Sequence, residues 1–281
     1  MGTLYLVATP IGNLEDITLR ALRILKEVSL VAAEDTRSAR NLLSHFGINK
    51  PITSYFEHSQ VSKLNQILDA LAGGDVAVIS EAGMPGLSDP GYELVCAALE
   101  HDYRVVPIPG ANALTSALVA SGLPTDQFTY VGFLPRQKNA RRKFLQSIAD
   151  EPRTLVAYEA PHRICDSLDD IAETLGNRSI CVARELTKVY EEFFRGTVND
   201  ARKHFAEHAP RGEFTLAIEG KSDEGRKTED GKPVWDDARV IQAMRDLIAE
   251  DMTRSEAAKR VARESGRDRR EVYQLSMTND K

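Results

Sequence analysis

The stretch VAVISEAGMPGLSDPG, residues 76–91, decides the fold. Its first four residues are apolar without polar alternation, as in a strand covered on both faces. The strand runs into a loop with three Gly and two Pro among residues 81–91. Gly lets backbone approach a ligand closely, and Pro fixes the shape of the loop. Helical spacing of apolar residues follows at 94–99. Strand, shaped loop and helix form the repeating unit of an α/β domain, whose ligands bind beyond the carboxyl ends of the strands.

The same order extends outward. Residues 4–8, 30–33 and 105–108 read as further buried strands, and 19–28, 39–46 and 64–71 as amphipathic helices. An Ala-rich helix over 111–121 closes the segment before Gly122 and Pro124. This predicts an N-terminal α/β domain over 1–124 with a largely parallel sheet. Strands at 128–133, 155–158, 179–183, 192–196 and 214–219, with helices at 140–148, 164–175 and 198–208, predict a C-terminal α/β domain over 125–219 with its own sheet. GKSDEGRKTEDGKP, residues 220–233, has no large apolar residue and reads as a linker. Apolar spacing at 240–248, 257–262 and 272–275 predicts a helical tail module over 234–281. Gly266 parts two short helical patterns there, as in a helix–turn–helix.

The 281 residues carry a formal net charge of −6, which argues against wholesale non-specific nucleic-acid binding. The excess is local. Residues 1–124 hold 8 basic and 13 acidic side chains, residues 125–233 hold 18 and 19, and the tail is balanced. Three scattered cysteines, Cys96, Cys165 and Cys181, form no disulfide framework and fit a reducing, cytoplasmic setting. No apolar run reaches the roughly 20 residues of a membrane span. MGTLYLVATP lacks a basic leader, and Leu6 stands where a myristoylation motif needs Ser or Thr.

Two more loops join the first at one sheet edge: Thr9-Pro10-Ile11-Gly12-Asn13 and, at residues 107–112, PIPGAN. The nucleotide motifs GxGxxG and GxxxxGK[ST] are absent, and so is the GxSxG elbow. His204 and His208 lie four apart without the Glu of HExxH, which fits a solvated helix face rather than a metal site. His45, His58 and His101 read as surface residues. Three charged clusters follow strands: Glu34-Asp35-Thr36-Arg37, YEAPHR at 158–163 and RELTK at 184–188. Each fits either an ion pair bracing a loop or the wall of a shared cleft. Arg136, Lys138, Arg141, Arg142 and Lys143 form a basic run without an acid, suited either to a solvated helix face or to RNA phosphates.

Taken together and in order, the motifs resemble the tetrapyrrole-methylase-fold methyltransferases, and within them the branch that acts on small-subunit ribosomal RNA. The segments are VATPIGNLEDI (7–17), EDTR (34–37), GMPGLSDPG (83–91), YEAPHR, RELTK and 212–214. The similarity runs from about residue 3 to 219. The resemblance implies two α/β domains with S-adenosylmethionine in the cleft between them, no metal, and methyl transfer to the ribose 2′-hydroxyl of a 16S rRNA cytidine near the decoding centre. It further implies a cytoplasmic homodimer whose partner is 16S rRNA or the assembled small subunit, with no membrane role. The implied donor site takes Pro10, Gly12, Ala82, Gly83, Pro85, Thr115 and Ser116 from the first domain. The second supplies Phe133, Tyr158, Arg184, Glu185 and Ala217. Glu34, Asp35, Arg37 and Lys188 are the candidates to face the hydroxyl, and His162 and Arg163 join the basic run as RNA contacts. The sequence departs from the pattern at Glu81, Met84, Ala111, Asn112 and Ala160, so side-chain roles at Glu81 and Met84 do not transfer. A corrinoid or porphyrin precursor methyltransferase shares the fold. A donor-binding ribosome assembly factor without turnover shares the cleft.

Overall fold

The computed structural model describes residues 2–55, 61–208, 210–221, 235, 237–250 and 252–278. Most of the predicted linker over 220–233 and His58 lie outside them.

The first sheet takes β1 (Thr3–Val7), β2 (Leu30–Ala33), β3 (Ile52–Ser54), β4 (Val76–Ile79) and β5 (Arg104–Ile108), in the order β3-β2-β4-β1-β5. Every pairing in it is parallel. Parallel neighbours require crossovers, supplied by α1 (Leu19–Glu27), α2 (Thr36–His45), α3 (Val61–Gly73) and α4 (Tyr92–Glu100). Both faces are covered. Val7, Leu25, Val31, Leu43 and Ile79 pack on one side, and Leu4, Ile67, Leu71, Val78 and Leu94 on the other. Burying each Leu or Ile side chain contributes about 1.5–3 kcal/mol. The edge strand β3 carries no readable signal in the sequence, because three residues are too few to show a period.

The second sheet takes β6 (Phe128–Phe133), β7 (Thr154–Glu159), β8 (Ser179–Arg184), β9 (Glu192–Thr197) and β10 (Phe214–Ile218), in the order β6-β7-β10-β8-β9. β6 and β7 are parallel, and the other three pairings are antiparallel. β8 and β9 form a hairpin around RELTK, so this lobe is mixed where the first is wholly parallel. Its helices are α6 (Lys138–Ser147), α7 (Ile164–Leu175) and α8 (Val198–Glu207).

The lobes meet on a short helix, α5 (Ala113–Val119). Its Leu114 and Leu118 pack on Val156 of β7, and its Ala117 joins Ile11, Ala183 and Leu186. Those contacts bring the strand-end loops of the two lobes face to face. Residues 1–148 and 154–218 form one compact unit.

A second compact unit takes Ala149–Arg153 and Glu219–Lys281. Its helices α9 (Asp237–Ala249), α10 (Arg254–Ser265) and α11 (Arg269–Thr278) bury Val240, Met244, Ala257, Ala258, Val261 and Val272. Thr253 and Glu256 form a reciprocal capping box at the start of α10. Gly266 ends that helix in the left-handed conformation, at φ 71°. Among the described residues, no helix is long and apolar enough to cross a membrane, and no cluster of three or more His, Cys, Asp or Glu could hold a metal ion.

Candidate active site

The partition of the site is laid down by Thr9 and Gly83. Each donates its N–H to the other's carbonyl, at 2.9 and 3.1 Å, in an isolated antiparallel bridge. The bridge fastens the loop after β1 to the loop after β4. Gly83 sits at φ 82°, a conformation that a side chain disfavours. Gly12 answers a different demand. A Cβ there would lie 2.4 Å from Cγ of Lys188 and 3.1 Å from the Leu186 carbonyl, so the first lobe's loop closes on RELTK only with glycine.

Beyond the bridge lies a cavity of about 350 Å³ between the two lobes. Glu34, Glu81, Ala82, Gly83 and Asp89 line it from the first lobe, and Phe133, Tyr158, Glu159, Glu213 and Phe214 from the second. Asn112 also lines it, and its side chain caps α5 by accepting from the Thr115 N–H at 3.1 Å. No Lys, Arg or His lines this cavity among the described residues. Phe133 is 54% exposed, an uncovered ring 5.4 Å from that of Tyr158. Tyr130 follows Tyr158 at the same spacing and shares a 2.5 Å hydrogen bond with Ser88.

Asp89 is the perturbed acid of the cavity. Burial, then the nearby charge of Glu34 and least that of Glu81, push its pKa up to about 6, against an opposing hydrogen bond from Ser80. Burial also raises Tyr130 and Tyr158, so both stay protonated. The loop that holds Asp89 stands out in the sequence, but its carboxylate is singled out only by burial beside Glu34 and Glu81.

The other sequence candidates divide. Glu34, Ala82, Gly83, Phe133 and Tyr158 line the cavity together. Pro10 and Gly12 line its neighbour. Pro85, Thr115, Ser116, Arg184, Glu185 and Ala217 line neither, and Ala217 is fully buried in β10. Asp35 caps α2, accepting from the Arg37 and Ser38 N–H groups at 2.7 and 3.4 Å. The Arg37 N–H chiefly holds its carboxyl below the usual range, which makes it a weak base. Lys188 is tied to Glu185 at 2.8 Å and to Glu213 at 3.0 Å, and Arg37 is exposed. Glu185 loses some solvation to burial, but Lys188 and the Glu213 N–H outweigh this and lower its pKa. Arg184 pairs with Glu192 at 3.0 Å rather than with Glu185. Glu192 also takes His204 at 2.9 Å, so His204 is half-buried and partnered, whereas His208 is exposed.

The basic run also needs correction. Arg141 is only 2% exposed, and its guanidinium meets Asp170 at 2.6 Å. Arg142 binds the other Asp170 oxygen at 2.6 Å and also pairs with Glu173. Both arginines fasten α6 to α7, because a buried carboxylate requires paired cations. Arg163 pairs with buried Glu159 at 2.7 Å. Arg136, Lys138, Lys143 and His162 remain exposed.

Two sheets joined by α5, with glycine-shaped loops enclosing an acidic and aromatic cleft, define a class of methyltransferase. Residues 3–202 match the family model "Tetrapyrrole (Corrin/Porphyrin) Methylases", and the chain belongs to that family. Residues 235–280 match the "RsmI C-terminal HTH domain". A protein of Halalkalibacterium halodurans is 48% identical over 98% of this chain and 94% of its own length. One from Synechocystis sp. is 48% identical over 99% and 98%. Both are named "Ribosomal RNA small subunit methyltransferase I", and the chain falls in their branch. Among solved structures, the methyltransferase CobJ superposes with a TM-score of 0.58 at 19% identity, over 81% of this chain and 98% of that one. Uroporphyrin III C-methyl transferase from Thermus thermophilus gives 0.54 at 22%, over 78% and 97%. These two likenesses speak to the fold alone.

Proposed function

We propose that this protein moves the methyl group of S-adenosylmethionine to the 2′-hydroxyl of a cytidine in 16S ribosomal RNA near the decoding centre, on bare RNA or the assembled small subunit. A cytoplasmic homodimer belongs to the same reading, and light scattering of the purified chain tests the dimer.

The observation that carries the reading is the composition of the cavity wall. The donor is a sulfonium cation with a flat aromatic base. Glu34, Glu81 and Asp89 supply negative charge, and Phe133 and Tyr158 supply aromatic faces, which attract both cations and bases. The volume fits a small-molecule site, and the main chain at Ala82 and Gly83 can approach without side chains intervening. When bound, the donor supplies an electrophilic methyl carbon. The chain's own residues then hold it, exclude water, and align the incoming oxygen at ~3 Å opposite the leaving sulfur.

The names of the relatives that match nearly the whole chain support RNA rather than a tetrapyrrole as acceptor.

Incubation of small-subunit RNA with the protein and methyl-labelled donor, followed by digestion to nucleosides, tests the reading. The expected product is 2′-O-methylcytidine. Label confined to a base nitrogen, or transferred only to a tetrapyrrole precursor, contradicts it. Binding of donor and subunit without product would instead leave an assembly factor.

A further inference from the structure

A second cavity, of about 480 Å³, lies on the first lobe between the loop after β1 and helix α2. Its wall includes Pro10, Gly12, Leu14, Asn41, His45 and Glu81. The donor cavity is lined by Ile11, so consecutive residues of one loop face two different spaces. Pro10 and Gly12 look one way and Ile11 the other. The Thr9–Gly83 bridge fastens that loop to the loop after β4, which carries Glu81. Glu81 is the one residue that lines both cavities among the described residues.

We infer that this second cavity is the acceptor subsite, taking the RNA nucleoside whose hydroxyl is methylated, with the Glu81 carboxylate receiving the hydroxyl proton. The inference rests on the methyltransferase reading above.

The chemistry of the wall suits a nucleoside. Leu14 and Leu42 offer apolar surface to a base face. The Asn41 amide carries both donors and an acceptor, matching the edge of a nucleobase, and takes no partner among the described residues. His45 is exposed beside it, its ring edge-on to Phe46 at 4.8 Å. Arg37 and Arg40 stand exposed on the same helix, and positions 37, 40, 41 and 44 share one helical face. That face places cations outside the cavity, where the flanking phosphates of a strand would run.

Displacement needs nucleophile and leaving group on opposite sides of the carbon, so on this inference acceptor and donor meet beside Glu81, the residue common to both walls. The ribose oxygen forms its new bond to the methyl carbon while the carbon–sulfur bond breaks. The electron pair of that bond stays on sulfur, which becomes a neutral thioether. The hydroxyl proton passes to Glu81 and then to water. A carboxylate lying on the wall of both spaces is the group placed for that proton.

The test uses the full chain, labelled donor and small-subunit RNA. Asn41→Ala/His45→Ala removes two exposed side chains, so a melting curve should match the parent. The expected result is a rise in KM for RNA of about tenfold or more, with donor affinity by calorimetry unchanged. Glu81→Gln should lower kcat by about 100-fold with the KM for RNA preserved and only a modest loss of donor affinity, and Glu81→Asp should restore part of the rate. An unchanged KM in the double variant, or full kcat in Glu81→Gln, overturns the subsite while the methyltransferase reading stands. A parent protein that methylates no RNA overturns both.

Discussion

The strand-end loops of the two lobes solve opposite problems with similar residues. In the first lobe the loops are shaped by glycine and by main-chain pairing, as in the Thr9–Gly83 bridge, and Glu34, Glu81 and Asp89 face the cavity. In the second lobe the charges of the strand-end motifs pair with one another. Lys188 holds Glu185 and Glu213, Arg184 holds Glu192, and Arg163 holds Glu159. The first-lobe acids line a cavity, whereas the motif charges of the second lobe brace the scaffold. A charged motif therefore states its role only once its partners are known.

The comparison can be broken most forcefully in the scaffold. Arg141→Ala leaves the Asp170 carboxylate, whose side chain is 1% exposed, with Arg142 alone; a fully broken buried pair costs about 3–5 kcal/mol, and the loss here should reach the lower end of that range. Urea unfolding should show that loss, with a midpoint shift insensitive to salt. A neutral midpoint would return Arg141 to the surface. Next in size is Gly12→Val, which drives a side chain into Lys188 and Leu186. Overpacking of this kind costs about 1–3 kcal/mol, and here it should weaken donor binding as well, because the cleft walls are forced apart. Calorimetry with the donor checks it.

Smaller effects sharpen the boundary between bracing and binding charges. Neutralising the exposed Arg136, Lys138 and Lys143 together should weaken RNA binding and reduce its salt slope by about one per lost phosphate contact, with donor affinity intact. An unchanged slope would make α6 a solvated face. Asp89 gives the smallest and most specific effect. Its folded pKa, about 6, lies above the ordinary 3.8, so its charged form is the disfavoured one. That cost is fully present above pH 6 and is relieved as pH falls from 6 towards 4. Asp89→Asn should raise the melting temperature at pH 7 and flatten its rise across that window. A parallel pH profile in parent and variant would remove Asp89 from the cavity's charge balance.

Much of the scaffold is legible in the sequence because it rests on repetition. Leu30–Ala33 and Val76–Ile79 are unbroken apolar runs, Phe128–Phe133 holds three aromatic residues in six, and the structure returns all three strands with the same bounds. The antiparallel pairing of β8, β9 and β10 is not legible, since strand direction depends on connections rather than on local pattern. The site divides the same way. Glycine-rich loops announce a ligand, but Asp89 gains its character from burial and then from Glu34, 55 positions earlier in the chain, and Glu81 from lining two cavities. Arg141 misleads for the complementary reason: its partner Asp170 stands on another helix, 29 positions away.

On the proposed reading, Glu34, Glu81 and Asp89 on the donor-cavity wall recognise the positive charge of the methyl donor. Calorimetric titration with S-adenosylmethionine and with its neutral demethylated product, from pH 5 to pH 8, addresses it most directly. The account predicts that the cationic donor binds more tightly, that its advantage shrinks as Asp89 takes up a proton below about pH 6, and that Asp89→Asn abolishes this pH dependence. Equal affinity for the two ligands at every pH, unaltered by Asp89→Asn, would contradict it.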